Sequence, residues 1–239
     1  LTLSFTTDWT SALDRAQLAA PVVVTDATAA DRLARDPAVG VVDARRTVPL
    51  RIGAEGETED VDVVDVASAT AARRLHAVRG SLDRLHGRAI AVSESWIFDA
   101  GVGLDGEVTA RLGDERMRLR IVAVVPDAPD LYGDLLVPRD LVGARVGEPS
   151  VLFLVPRPGV GGDELLASAR AAAGDSALTA GQWVDEMASA SRRANNLALL
   201  VLLGPAGLYA GIAIVNATLI GTAQRRRQRR LVGLLGATA

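Results

Sequence analysis

Residues able to do chemistry are few in this chain, and poorly spaced for it. There is no cysteine and no lysine. That removes thiolate nucleophiles, cysteine metal sites and the Walker A lysine that holds nucleotide phosphates. His76 and His86 are the only histidines. Each lies in an Arg-rich, helix-like stretch without a metal-ligand partner at suitable spacing, which reads as surface histidine. Ser81, nearby, has no nucleophile-elbow context. Asp60, Asp62 and Asp65 cluster on an expected strand; a weak cation site is one reading and a solvated strand face the default. Gly101, Gly103 and Gly106 spell GxGxxG. The dinucleotide motif needs a strand before it and a helix after it, so that the helix N-terminus holds the pyrophosphate. Here a helix-like stretch precedes and the strand-like EVTARL follows, so a glycine-rich turn is expected. No catalytic constellation, metal site or cofactor is expected, and the chain does not read as an enzyme.

Composition narrows the class. Of 239 residues, 49% are hydrophobic and only 3% aromatic, with a mean hydropathy of +0.23. The core must therefore be built from Ala, Val, Leu and Ile. The net charge of −3 hides an asymmetry: residues 224–239 carry five arginines and no acid, so the remainder is more acidic than the total suggests. An acidic body with one compact basic block does not resemble a nucleic-acid binder. The chain starts at Leu1 without a signal-peptide pattern, so an exported domain would need further sequence upstream.

Residues 194–224 contain no charged side chain. Within them, Leu197–Ala223 would span roughly 40 Å as a helix, against about 30 Å of bilayer hydrocarbon. A transmembrane helix over 194–223 is expected. Arg225, Arg226, Arg227, Arg229 and Arg230 follow it at once, whereas Arg192 and Arg193 precede it close to Asp185 and Glu186. The positive-inside bias then puts the tail in the cytoplasm and residues 1–193 outside the cell membrane. Gly204-Pro205 should kink the span. Gly207 and Gly211 form a GxxxG pair, and Ala213, Ala217 and Gly221 continue a small-residue stripe that lets another helix approach closely in lipid.

The extracytoplasmic part alternates short β-branched runs with helical patterns. Strands are expected at Pro21–Thr25, Val39–Val42, Thr47–Ile52, Val61–Val66, Arg88–Ser93, Glu107–Leu112, Met117–Val125, Leu135–Val137 and Val151–Val155. Helices are expected around Ala27–Arg35 with Asp26 as N-cap, at Ser68–Val78, Trp96–Ala100 and Asp163–Ala173, and from about Gln182 onward. The class is α+β with mixed sheets and more than one subdomain, followed by a long helix continuing into a single transmembrane span. The expected organisation is an extracytoplasmic domain over 1–193, with a stalk helix from about 182. A membrane helix over 194–223 and an arginine-rich cytoplasmic segment over 224–239 follow.

These segments, in this order, resemble a known family. The tail QRRRQRRLVGLLGATA closes with Leu235-Gly236-Ala237-Thr238 after the apolar pair Leu231 and Val232. It is similar to the segment ending the corresponding helix in FtsX-like permeases, the MacB-type subunits of ABC transporters. Gly87–Ser93 looks like that family's Gly-x-x-Val-x-Val-Ser strand. Val102–Leu112 with Leu119–Val125 resembles its LGxxxGDxVxL…VxVVGVV stretch, and Leu135–Pro138 its later strand ending in proline. The chain departs from the pattern at Gln228 and Gly233, where the family has Glu and often Arg, and in the order Asp105-Gly106-Glu107.

The resemblance implies a MacB-like periplasmic core domain and a permease whose ATPase is a separate polypeptide. It also implies further transmembrane helices of the same permease as neighbours, and a second permease copy or half. Leu231, Leu234 and Leu235 fall at i, i+3, i+4 and, with Gly236, would form the face that meets the ATPase. Motion would pass along the helix to the outer domain. The alternative face for these leucines is the lipid surface, with the arginines on anionic headgroups. The alternative function is a membrane-tethered extracytoplasmic binding or regulatory module that engages no ATPase.

Overall fold

In a computed structural model, residues 18–53, 56, 58–128 and 131–190 are described, together with positions 192, 193, 198, 201, 203, 209, 210, 212 and 213. The strands are β1 (Val22–Val24), β2 (Val39–Ile52), β3 (Thr58–Val64), β4 (Arg79–Gly80), β5 (Ala89–Ser93), β6 (Glu107–Leu112), β7 (Glu115–Val125), β8 (Leu135–Pro138), β9 (Val151–Pro156) and β10 (Ala177–Thr179). The helices are α1 (Ala30–Leu33), α2 (Val66–Arg73), α3 (Glu94–Ala100), α4 (Arg139–Val142) and α5 (Gly162–Ala173). A last helix, α6, covers residues 180–190.

Two sheet halves share β2. In the first, the order is β10-β1-β9-β2, antiparallel throughout. Val22 and Val24 face a cluster with Leu33, Leu152, Leu154, Leu165 and Ala169, while Val23 faces the opposite cluster with Ala69, Ala72, Phe153 and Trp183. Both faces of β1 are covered, which is why its sequence is an unbroken Val run instead of an apolar–polar alternation.

The second half closes on itself. β2 pairs β3, β3 pairs β8, β8 pairs β5, β5 pairs β7, β7 pairs β6, and β6 returns to β2. Closure removes exposed strand edges around the ring. Its strands alternate: Val48 and Leu50 of β2 and Met117, Leu119 and Ile121 of β7 point into one buried cluster, and Pro49, Arg51, Arg118 and Arg120 point away from it. The pairs β3–β8 and β5–β7 are parallel and the rest antiparallel, so the expected mixed α+β class is observed. Where more than one subdomain is expected, the two sheet halves are joined through one strand, and the described residues from 18 to 188 fall in one compact unit.

Several boundaries differ from expectation. Val39–Val42 and Thr47–Ile52 are one strand of 14 residues. Asp43, Arg45 and Arg46 break the apolar alternation, yet the backbone stays extended because it pairs first with β9 and then with β3. Strand β3 ends at Val64, because Asp65 caps α2 by accepting from the Ser68 amide. Helix α2 stops at Arg73, well before Val78. Arg74 takes a left-handed conformation with φ 47°, and its amide bonds back to Ala69. Leu75 is thereby turned into the core, at 1% exposure. His76 and His86 are exposed in the connections that follow α2 and precede β5, not on helices. At the start of α6, Thr179 and Gln182 form a reciprocal capping box: Thr179 Oγ1 accepts from the Gln182 amide, and Gln182 Oε1 accepts from the Thr179 amide.

The short strand β4 depends on Gly80. Its φ is +79°, and a Cβ there would lie 2.2 Å from the Val122 carbonyl oxygen of the paired strand. Gly80→Ala should therefore destabilise the domain by about 2 kcal/mol or more. Urea unfolding would show a lower midpoint at unchanged slope.

Candidate functional site

β2 changes partner in its middle. Residues 39–45 pair with β9 on one side, and 46–51 pair with β3 on the other. Among the described residues no strand lies beside the 41–44 stretch on its β3 side, and this gap opens a cleft. The parallel strands β3 and β8 end together at its rim, Val64 opposite Pro138, and each passes at once into a helix. Carboxyl ends of adjacent parallel strands where the chain diverges are a recurrent place for ligand crevices.

The cleft encloses about 360 Å³ between β2, the end of β3, the first turn of α2 and Arg139. Arg46 comes from the switch point of β2 and Arg139 from the first position of α4, directly after β8. Arg46 is half-buried and Arg139 exposed. Burial and then the neighbouring charge of Arg139 lower the pKa of Arg46 from its ordinary value, with Asp43 opposing them. No hydrogen bond or ion pair holds either guanidinium among the described residues. The acids that line the cleft are engaged elsewhere. Asp65 caps α2, and Asp43 belongs to a buried pair.

That pair is the firmest polar feature of the domain. Asp43 and Arg73 are 2% and 1% exposed, with Arg73 Nε 2.5 Å from Asp43 Oδ2. Arg73 Nη1 donates to the Leu131 carbonyl at 2.6 Å, and Ser68 Oγ donates to Asp43 Oδ1 at 3.0 Å. The guanidinium carbon of Arg73 lies 5.3 Å from the centre of the Phe153 ring, which in turn meets Trp183 of α6 edge-on at 5.5 Å and 87°. One buried cation thus joins β2, α2, the 131 connection and β9, and through Phe153 it reaches α6.

Asp62 corrects the expectation of a solvated strand face. It is 1% exposed, accepts from the Gly133 amide at 2.8 Å and pairs with Arg45 at 3.2 Å. Asp60 is exposed and Asp65 is a helix cap, so the three aspartates do not converge. Among the described residues no group of three or more His, Asp or Glu side chains is placed to hold a metal. The GxGxxG glycines lie between α3 and β6, with Gly101 as the left-handed C-cap of α3, as the turn reading requires.

Ser189–Ala239 is a second unit. Of the proposed packing stripe, Ala213 is helical and exposed, whereas Gly207, Gly211, Ala217 and Gly221 lie outside the described residues. So do Arg225, Arg226, Arg227, Arg229 and Arg230, and Leu231, Leu234, Leu235 and Gly236. Among the described residues no helix is long and apolar enough to cross a membrane; most of 194–223 lies outside them.

Sequence reasoning missed Asp43, Arg73, Arg46 and Arg139. A signal existed for the first two. Asp43 interrupts an apolar strand, and Arg73 extends the buried face that Ala69 and Ala72 set on α2. Nothing local distinguished Arg46 or Arg139 from surface arginines.

No protein-family model matches the chain, and no curated protein matches it. Solved structures similar to it are extracytoplasmic domains of ABC transporters of the MacB and YknZ kind. The periplasmic region of MacB from Actinobacillus actinomycetemcomitans is 12% identical at a TM-score of 0.49, over 72% of this chain and 94% of that one. The extracellular domain of the noncanonic ABC-type transporter YknZ from Gram-positive bacteria is 16% identical at a TM-score of 0.43, over 66% and 89%. At these identities and scores the likeness by itself gives no residue a role and the chain no activity.

Removing one partner of the buried pair should be costly. Arg73→Met leaves Asp43 buried and unpaired, and a loss of about 3–5 kcal/mol is expected. Asp43→Leu combined with Arg73→Met should lose less than Arg73→Met alone, as read by urea unfolding of the parent and the two variants.

Proposed function

We propose that the chain is part of the membrane subunit of an FtsX/MacB-like ABC transporter, with a separate ATPase whose movements are passed to the extracytoplasmic domain. The observation that carries this reading is the sequence following α6. Trp183 and Val184 of α6 are buried in the domain core. The chain then enters residues 194–224, which hold no charge, and the helical positions Val201, Leu203, Tyr209 and Ile212 there are 53–77% exposed. Large apolar side chains exposed on an uncharged helical stretch suit a lipid or helix-packed environment. Five arginines follow directly, as expected on a cytoplasmic flank, and then the Leu235–Thr238 ending that resembles the family.

The parts take these roles. Residues 1–193 form the extracytoplasmic domain, 194–223 the membrane helix and 224–239 the cytoplasmic segment. Gly207, Gly211, Ala213, Ala217 and Gly221 pack against other helices of the permease, in the same or a second copy. Leu231, Leu234, Leu235 and Gly236 contact the ATPase. Force applied there reaches α6, whose Trp183 is seated on Phe153, so displacement of the helix must either move β9 and α2 with it or break that contact. ATP hydrolysis belongs to the partner and requires no catalytic group in this chain.

A cysteine introduced as Leu234→Cys tests the reading, because the chain contains no other cysteine. In membranes containing the full-length permease and its candidate ATPase, with other cysteines removed, a disulfide to cysteines scanned across the ATPase surface should form. Its yield should change with ATP. Modification only by lipid-side reagents, with no ATPase adduct under any nucleotide condition, would leave a tethered extracytoplasmic module instead.

A further inference from the structure

We infer that the cleft at the β2 switch point is a binding site for a compact oxyanion, a carboxylate or phosphoryl group held between Arg46 and Arg139. This does not depend on the transporter reading.

Three observations converge. Two guanidiniums, one from the middle of β2 and one from the first residue of α4, line the same cavity, and neither makes a hydrogen bond or ion pair with an acid among the described residues. A surface arginine without a partner is unremarkable alone, because water solvates it fully. Arg46 is different: it is rooted in the partially buried middle of β2, beside a second cation, where part of its hydration is lost. An oxyanion between the two would replace that hydration and cancel their repulsion. A guanidinium fork offers paired donors matched to carboxylate or phosphate oxygens.

The surroundings favour an anion over a cation. Asp43 is paired with Arg73 and accepts from the Ser68 hydroxyl, and Asp65 accepts from the α2 amide of Ser68. Asp43 does set a limit on the occupant. It lies on the cleft wall, so a bulky polyanion would meet it, whereas a single phosphate or carboxylate can stay on the arginine side. A volume of about 360 Å³ admits such a group with a modest attached body.

The site also has a route to the helix leaving the domain. Asp43 on the cleft wall is bonded to Arg73, Arg73 sits against Phe153, and Phe153 packs on Trp183. An anion that shifts β2 at Arg46 therefore acts three residues from the head of that chain of contacts.

The test is an NMR titration of arginine Nε–Hε signals in the isotope-labelled full chain in detergent. Inorganic phosphate and, separately, acetate are added at constant ionic strength. Saturable shifts at Arg46 and Arg139 are expected, with Arg46→Gln and Arg139→Gln each weakening apparent affinity about tenfold or more. Arg118→Gln, on the outer face of the barrel, should bind like the parent. Preference for phosphate assigns a phosphoryl ligand, and equal or better binding of acetate assigns a carboxylate; either supports the site. Arg46→Lys guards against misfolding, since it keeps the charge and should still weaken binding by losing the fork. Absence of saturable shifts at both residues, or equal affinity in the parent and the properly folded arginine variants, would overturn the proposal.

Discussion

Among the described residues, Asp43 and Arg73 form an ion pair with both partners buried, and it ties several elements together. Taking two charges out of water is expensive, and their attraction offsets that cost only if the remaining donors and acceptors are also satisfied. Here they are largely satisfied: Asp43 takes Ser68 as well as Arg73, and Arg73 takes the Leu131 carbonyl and an aromatic face. Asp43, Arg73, Leu131 and Phe153 sit on four different parts of the fold, so the geometry is met by one relative placement of β2, α2, β9 and the 131 connection. A purely apolar cluster of Ala and Val would be less particular, since small aliphatic side chains tolerate sliding. In a chain with 3% aromatics, a buried ion pair resting on the Phe153 ring provides the directionality that large rings would otherwise supply.

The same pair explains how one strand can serve two sheets. β2 must keep its extended path through Asp43-Ala44-Arg45-Arg46, where alternation fails and a break would be expected. Each of the two acid–base contacts beside the switch, Asp43 with Arg73 and Arg45 with Asp62, compensates a polar side chain that the sheet would otherwise bury alone. The change of partner then leaves a gap beside residues 41–44, and the cleft is the geometric result. The barrel needs β2 for closure and the open sheet needs it as an edge. The cleft therefore lies where the two halves meet and faces groups drawn from both.

The start of α6 is tied into the domain by two kinds of contact. Its first turn is locked by the Thr179–Gln182 box, and its second contributes Trp183 and Val184 to the core. A helix anchored this firmly cannot be displaced without disturbing β9 and α2.

Much was legible from sequence where a single physical rule acts over a short window. Asp26 as a cap, the β5, β6 and β9 strands and the turn at the GxGxxG glycines all follow from local hydrogen bonding, turn chemistry and period-two burial. The uncharged stretch and its arginine flank were equally plain, because the absence and clustering of charge are read from composition alone. The union of Val39–Val42 with Thr47–Ile52, the early stop of α2 at Arg74 and the burial of Asp62 were not. Each depends on a partner distant in the chain: β9 and β3 for the strand, the Leu75 pocket for the helix, Gly133 and Arg45 for the aspartate. The cleft was the least visible of all, since Arg46 and Arg139 are 93 positions apart. Local free energy is written in neighbouring residues, but the sign of a buried charge's contribution depends on what tertiary folding sets beside it.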